Sequence, residues 1–203
     1  FSGSLGGLIA LAEGRCDLVG CHLWDEESRS YNLPFIRRVL PGKRVALVTF
    51  AERRLGLILA AGNPLDIQGL TDLARPEVRF VNRQPGSGTR VWLDSALKAL
   101  DIPAEKIAGY EDERLSHSEV ARAVAEGRAS AGFGLETSAQ AYGLDFILLT
   151  QETYQLVLLE ALLRHPAVQT LLKWLDNQQV KAGIAAMGGY ETSRSGEIDI
   201  LAV

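Results

Sequence analysis

The stretch NRQPGSGTR, residues 82–90, gathers two arginines, two hydroxyl side chains and two glycines within nine positions. A strand-like run, VRFVN, leads into it and a helical run, SGTRVWLDSALKAL, leads out. Ser87, Gly88 and Thr89 therefore fall at the start of a helix. There the first backbone N–H groups lack internal partners and the helix dipole favours negative charge. The chemistry such a junction offers is capture of an anion, with Arg83 as a nearby source of charge. The dipole alone contributes about 0.3–1 kcal/mol, whereas a micromolar ligand needs about 8 kcal/mol. Several further donors must converge. SGSLGG near the start of the chain supplies a second helix start of the same kind, with Ser2 and Ser4 as donors. His117, in HSEV, opens another. The bland alternative is a helix capped by its own Ser and Thr, with solvated arginines.

Other site chemistries fail on spacing. GSGTRV lacks the third glycine of a dinucleotide fingerprint, and PGKR lacks the upstream glycine of a phosphate-binding loop. The three histidines are scattered and make no metal-ligand pattern. No catalytic residue is assigned, because no G-x-S-x-G occurs and order alone builds no Ser-His-Asp set. His22 reads as a core or rim histidine. Arg37-Arg38 and Arg53-Arg54 read as solvated pairs.

The elements that must hold these residues alternate. Strand patterns at DLVGCHL, Val45–Phe50, Leu55–Ala60, VRFVN, ASAGFG, DFILLT and TYQLVLLE are interleaved with helical ones. A helical tail follows, broken near Asp176-Asn177, and residues 193–203 read as an exposed tail with a hydrophobic end. The class is α/β, with mixed, mostly parallel sheets. Two lobes fit the order: residues 1–50 plus 151–203, and residues 51–150. SGSLGG looks like the end of a strand-to-helix turn with no strand before it, so an N-terminal strand and helix are expected to be missing.

Composition bounds the rest. The chain has 203 residues, 47% hydrophobic and 23% charged, with net charge −4. That balance argues against direct nucleic-acid contact by this domain. No run is long and apolar enough to span a membrane. Cys16 and Cys21 flank one short strand, a poor geometry for a disulfide. Free thiols lean cytoplasmic, with a periplasmic or extracellular location as the alternative.

In order along the chain, GSLGGLIALAEGRCDLVGCHLWD, YNLPFIRRVLPG, GNPLDIQGLTDLARPEVRFVNRQPGSGTRVWLD, HSEVARAVAEGRASAGFG and LDFILLTQETYQLV resemble a known family. It is the periplasmic-binding-protein-like type 2 domain of molybdate-related proteins, akin to LysR substrate-binding domains. In that family the domain is joined to helix-turn-helix regulators or to molybdopterin-biosynthesis proteins. The resemblance implies two α/β lobes, a two-segment hinge and a ligand in the cleft between them. That ligand would be a small anion, molybdate or tungstate, with no cofactor. The main expectation is the sensor part of a transcriptional regulator or a molybdenum-cofactor-related protein, without catalysis. The alternatives are an exported solute-binding component of an ABC transporter and a non-catalytic domain of a molybdopterin-biosynthesis enzyme. A homodimer is left open.

Overall fold

A computed structural model of the protein describes residues 3–203. In chain order the elements are α1 (Ser4–Ala12), β1 (Leu18–Cys21), β2 (Trp24–Asp25), β3 (Ser30–Tyr31), α2 (Leu33–Val39), β4 (Arg44–Leu59) and β5 (Phe80–Arg83). Then come α3 (Gly88–Ala99), β6 (Glu113–Arg114), α4 (His117–Ala125), β7 (Ala131–Leu135), α5 (Glu136–Ala141) and β8 (Asp145–Leu159). The last are α6 (Pro166–Asp176), α7 (Gln178–Ala185), β9 (Tyr190–Glu191) and β10 (Ile198–Ala202). The chain divides into two compact units: Phe1–Arg53 with Glu152–Val203, and Arg54–Gln151.

In the first unit the sheet runs β1, β8, β4, β10. β4 opens as Arg-Val-Ala-Leu-Val, with Val45, Ala46, Leu47 and Val48 all buried. Alternation sends Val45 and Leu47 to one face, against Leu8, Ile36 and Val157. It sends Ala46 and Val48 to the other, against Leu158 and Leu175. A strand buried on both faces reads as a continuous apolar run, which is why no alternation shows in the sequence. The start of α2 is tied to the end of β1 by buried Asn32, at φ 62°. Its Oδ1 accepts from Leu23 N and its Nδ2 donates to Gln155 Oε1.

In the second unit β4 pairs with β7, β7 with β5 and β5 with β6. Leu55, Leu57, Phe80, Leu93 and Phe133 form its main core, with Trp92 stacked on Phe133 at 5.3 Å. α4 packs so closely on β7 that a Cβ at Gly132 would meet Val120 Cγ1 at 2.5 Å, so only glycine fits there. The helix begins with a capping box: Ser116 Oγ accepts from Glu119 N while the Glu119 carboxylate accepts from Ser116 N. Ser116→Ala should cost about 1 kcal/mol, read as a lower denaturation midpoint with unchanged slope.

The α/β class and the mixed sheet hold, but three details differ from expectation. Parallel pairing joins β5 with β6 and β5 with β7. The ladders β1–β8, β4–β7, β4–β9, β4–β10 and β2–β3 are antiparallel. The predicted strands at 45–50 and 55–60 are one strand, β4, and those on either side of Gln151-Glu152-Thr153 are one strand, β8. The expected C-terminal tail is not loose: Ile198–Ala202 is a strand in register with Arg44–Val48.

Candidate functional site

β5, β6 and β7 run parallel, so their carboxyl ends lie along one edge of the second unit. α3, α4 and α5 all start there. At the first of these, Ser87 caps α3 by accepting from Arg90 N at 3.2 Å. Gly86, at φ 78°, makes the tight turn before it. The amides of Gly88 and Thr89 have no hydrogen-bond partner among the described residues. The Thr89 side chain is fully buried, and its Oγ1 has no partner either. A buried hydroxyl left unpaired costs about 1–3 kcal/mol. This orphan and the unpaired amides of Gly88 and Thr89 are buried together at one helix start, the part of a helix that favours an anionic acceptor.

The arginines nearby have structural work. Arg83 is buried, and its guanidinium donates to the Leu115 and Arg114 carbonyls at 3.0 and 3.3 Å and to Gln84 Oε1. Arg90 spans Asp94, the Arg83 carbonyl and Glu113, and lies 4.1 Å from the centre of the Tyr110 ring. Burial alone would lower the Arg90 pKa, but Tyr110 and Asp94 outweigh it and hold it above the usual value. Burial and the bond to Asp94 likewise push the Tyr110 phenol up. Together these bonds lock the turn after β5 to the turn after β6, and so fix where Gly88 and Thr89 point. His117 is the first residue of α4 and half-buried. Its ring lies against the end of β7, where a Cβ on Gly134 would come within 3.2 Å of Nδ1. At the same edge Arg54 faces Glu136 at 3.0 Å.

In the first unit, buried Ser4 begins α1 and its Oγ bonds His22 Nδ1 at 3.0 Å. His22 stacks on Tyr154, with centroids 5.5 Å apart. Arg53 also lies over the Tyr154 ring, 4.4 Å from its centre, and forms an ion pair with Glu152. Gly20 makes room for the phenol: a Cβ there would sit 1.9 Å from Tyr154 Oη. Arg53 is not a solvated residue, as its sequence context suggests; its side chain is 11% exposed and that of Glu152 is 1% exposed.

The candidates thus fall into two groups. Ser87, Gly88, Thr89, Arg83 and His117 share one edge of the second unit, and Ser4 belongs to the first. Ser2 lies outside the described residues. Sequence reading missed Tyr154; it puts Arg53 at the hinge and Glu152 among the carboxylates near the cleft, but not in a pair, because the two lie far apart along the chain. The one signal available was a carboxylate and an arginine inside otherwise strand-like runs. Cys21 takes no part, since burial pushes its thiol up to about 12 and leaves it protonated at neutral pH. Among the described residues no group of His, Cys, Asp and Glu could hold a metal ion.

Each of the two α/β units has a helix start that carries a serine hydroxyl, and the chain passes between the units twice. The chain belongs to the PBP superfamily domain family, which matches residues 1–176. It is 36% identical over 198 residues to protein YvgK of Bacillus subtilis, covering 98% of this chain and 64% of that protein's length. Among solved structures it is similar to a substrate-binding domain assigned to a molybdenum ABC transporter of Clostridium difficile. There the TM-score is 0.61 and the identity 17%, covering 93% of this chain and 83% of that one. It is similar also to a phosphate-bound protein of Clostridium perfringens assigned as a phosphate ABC transporter substrate-binding protein. The TM-score is again 0.61, with 13% identity over 93% and 84% of the two chains.

Proposed function

We propose that the chain is a solute-binding domain that captures a small tetrahedral oxyanion, molybdate or tungstate foremost. The observation that carries this reading is the buried, unpartnered Thr89 hydroxyl beside the unpaired amides of Gly88 and Thr89, which a guest reaches once the turn gives way. Ser87 adds a hydroxyl and His117 a ring nitrogen at the same edge, Arg83 supplies charge while clamping the turn, and Ser4 offers a helix-start hydroxyl in the first unit. Hydroxyl and amide donors suit an anion that is fully ionised and accepts from every side. No catalytic residue is assigned. The assignments of the similar solved structures, to molybdenum and phosphate ABC transporters, support uptake as the role. On that reading the domain works outside the cytoplasm and delivers its ligand to a membrane transporter, in preference to the sensor of a regulator.

Calorimetric titration with molybdate, tungstate, phosphate and sulfate tests the ligand. Micromolar or tighter binding of molybdate or tungstate, at one site per chain, is expected. No heat with any of the four would end the oxyanion reading. Fractionation of cells carrying the full-length protein tests the role: transport requires it outside the cytosol, and recovery wholly in the cytosol would return the regulator reading.

A further inference from the structure

β10 is an edge strand. Among the described residues it pairs only with β4, in the register Ile198↔Val48 to Ala202↔Arg44. Thr49 N donates to the Glu197 carbonyl, and Val203 N donates to the Lys43 carbonyl. In an antiparallel ladder the bonded residues alternate. The odd positions therefore turn their main-chain groups to β4, and Ile198, Ile200 and Ala202 turn theirs outward. The same strand exposes apolar surface: Ile198 is 40% exposed and Ile200 46%. Beside it runs a groove of about 730 Å³, lined in part by Ile200, Leu163, Lys43, Arg44 and Arg164. An open, apolar edge is a template for another strand.

We propose that the occupant is a second copy of this chain, joined antiparallel through β10 about a two-fold axis at Ile200. The strand's own pattern, Glu-Ile-Asp-Ile-Leu-Ala-Val, selects that register. Centring on Ile200 sets outward-facing residue against outward-facing residue: Ile200 bonds the partner's Ile200, and Ile198 bonds the partner's Ala202. Centring on Asp199 sets Asp199 against its own copy, a like-charge pair that destabilises. Centring on Leu201 shortens the overlap. In the Ile200 register Glu197 lies opposite the partner's Val203. The partner's Lys43 is one strand further on and on the same face. Strands lie about 4.8 Å apart, so the Lys side chain spans the gap to Glu197, whose carboxylate accepts from Arg194 at 2.8 Å and has its other oxygen for the lysine. The exposed isoleucines cover one another, and the two sheets become one.

Sedimentation equilibrium of the 203-residue chain, from low to high micromolar concentration, tests this. A monomer–dimer equilibrium is expected. Ile200→Pro removes an outward N–H that β4 does not use, so it should keep the fold and weaken the dimer by about tenfold or more. Glu197→Lys and Lys43→Glu should each weaken it, and together restore it. A chain that stays monomeric throughout would overturn the proposal, and so would a dimer that survives Ile200→Pro. Where Ile200→Pro lowers the melting temperature sharply, the charge swap decides: no rescue in the double variant overturns the register.

Discussion

Thr89→Val weakens molybdate binding by about 10- to 100-fold and raises the melting temperature. The two directions have one cause. Thr89 Oγ1 is buried and has no partner among the described residues, so the folded chain bears the cost of a dehydrated hydroxyl. That cost is about 1–3 kcal/mol. Valine has the same branching and the same χ1 restriction, with a methyl in place of the hydroxyl. Its helix propensity is close to that of threonine, so the backbone loses nothing at this position. Replacing an unsatisfied hydroxyl with a methyl removes the cost. A hydrogen bond to an ionised oxygen contributes about 1.5–3 kcal/mol, and tenfold in affinity is 1.4 kcal/mol. Removing that bond gives the expected loss. Calorimetry with molybdate and a thermal melt of the free chain read the two quantities separately. Affinity unchanged in the valine variant would remove Thr89 from the site. Affinity and melting temperature falling together would make the hydroxyl structural and take away the observation on which the oxyanion reading rests.

The helix start at Ser87 was readable from sequence because every requirement is local. Gly86 supplies the left-handed turn, Ser87 the cap, and Leu93 and Leu97 the buried stripe that fixes the helix phase. The same holds for Ser116 and Glu119. Long strands were less readable. Ala51-Glu52-Arg53-Arg54 and Gln151-Glu152-Thr153 look like connections because polar residues interrupt apolar runs. In the fold the charges of Arg53 and Glu152 meet each other, so neither ends its strand. The ladders showed the same limit. Helices between strands imply parallel crossovers, but β4 and β8 are long enough to bring the chain back antiparallel to β7 and β1. β10 was taken for a tail because an edge strand with exposed side chains has no buried face to impose a pattern. The role of Arg83 was half readable. Its place after β5 follows from the strand pattern, but the carbonyls it clamps come from a segment that sequence spacing could not put beside it.

The pair in the first unit makes the second large prediction. Arg53→Ala removes the cation facing a carboxylate that is 1% exposed, and also the guanidinium held against Tyr154. Breaking a buried ion pair by deleting one partner costs about 3–5 kcal/mol, a large share of the about 5–15 kcal/mol that holds a domain folded. Replacing both charges by apolar side chains, as in Arg53→Met with Glu152→Leu, costs far less, because no buried charge is left over. Urea unfolding of the wild type, Arg53→Met, Glu152→Leu and the double variant closes the cycle. A coupling energy near zero would show that Arg53 and Glu152 do not depend on each other. The double variant also isolates the site. With stability recovered, any remaining loss of oxyanion affinity reports the charges of the pair; unchanged affinity keeps Arg53 and Glu152 out of the proposed site.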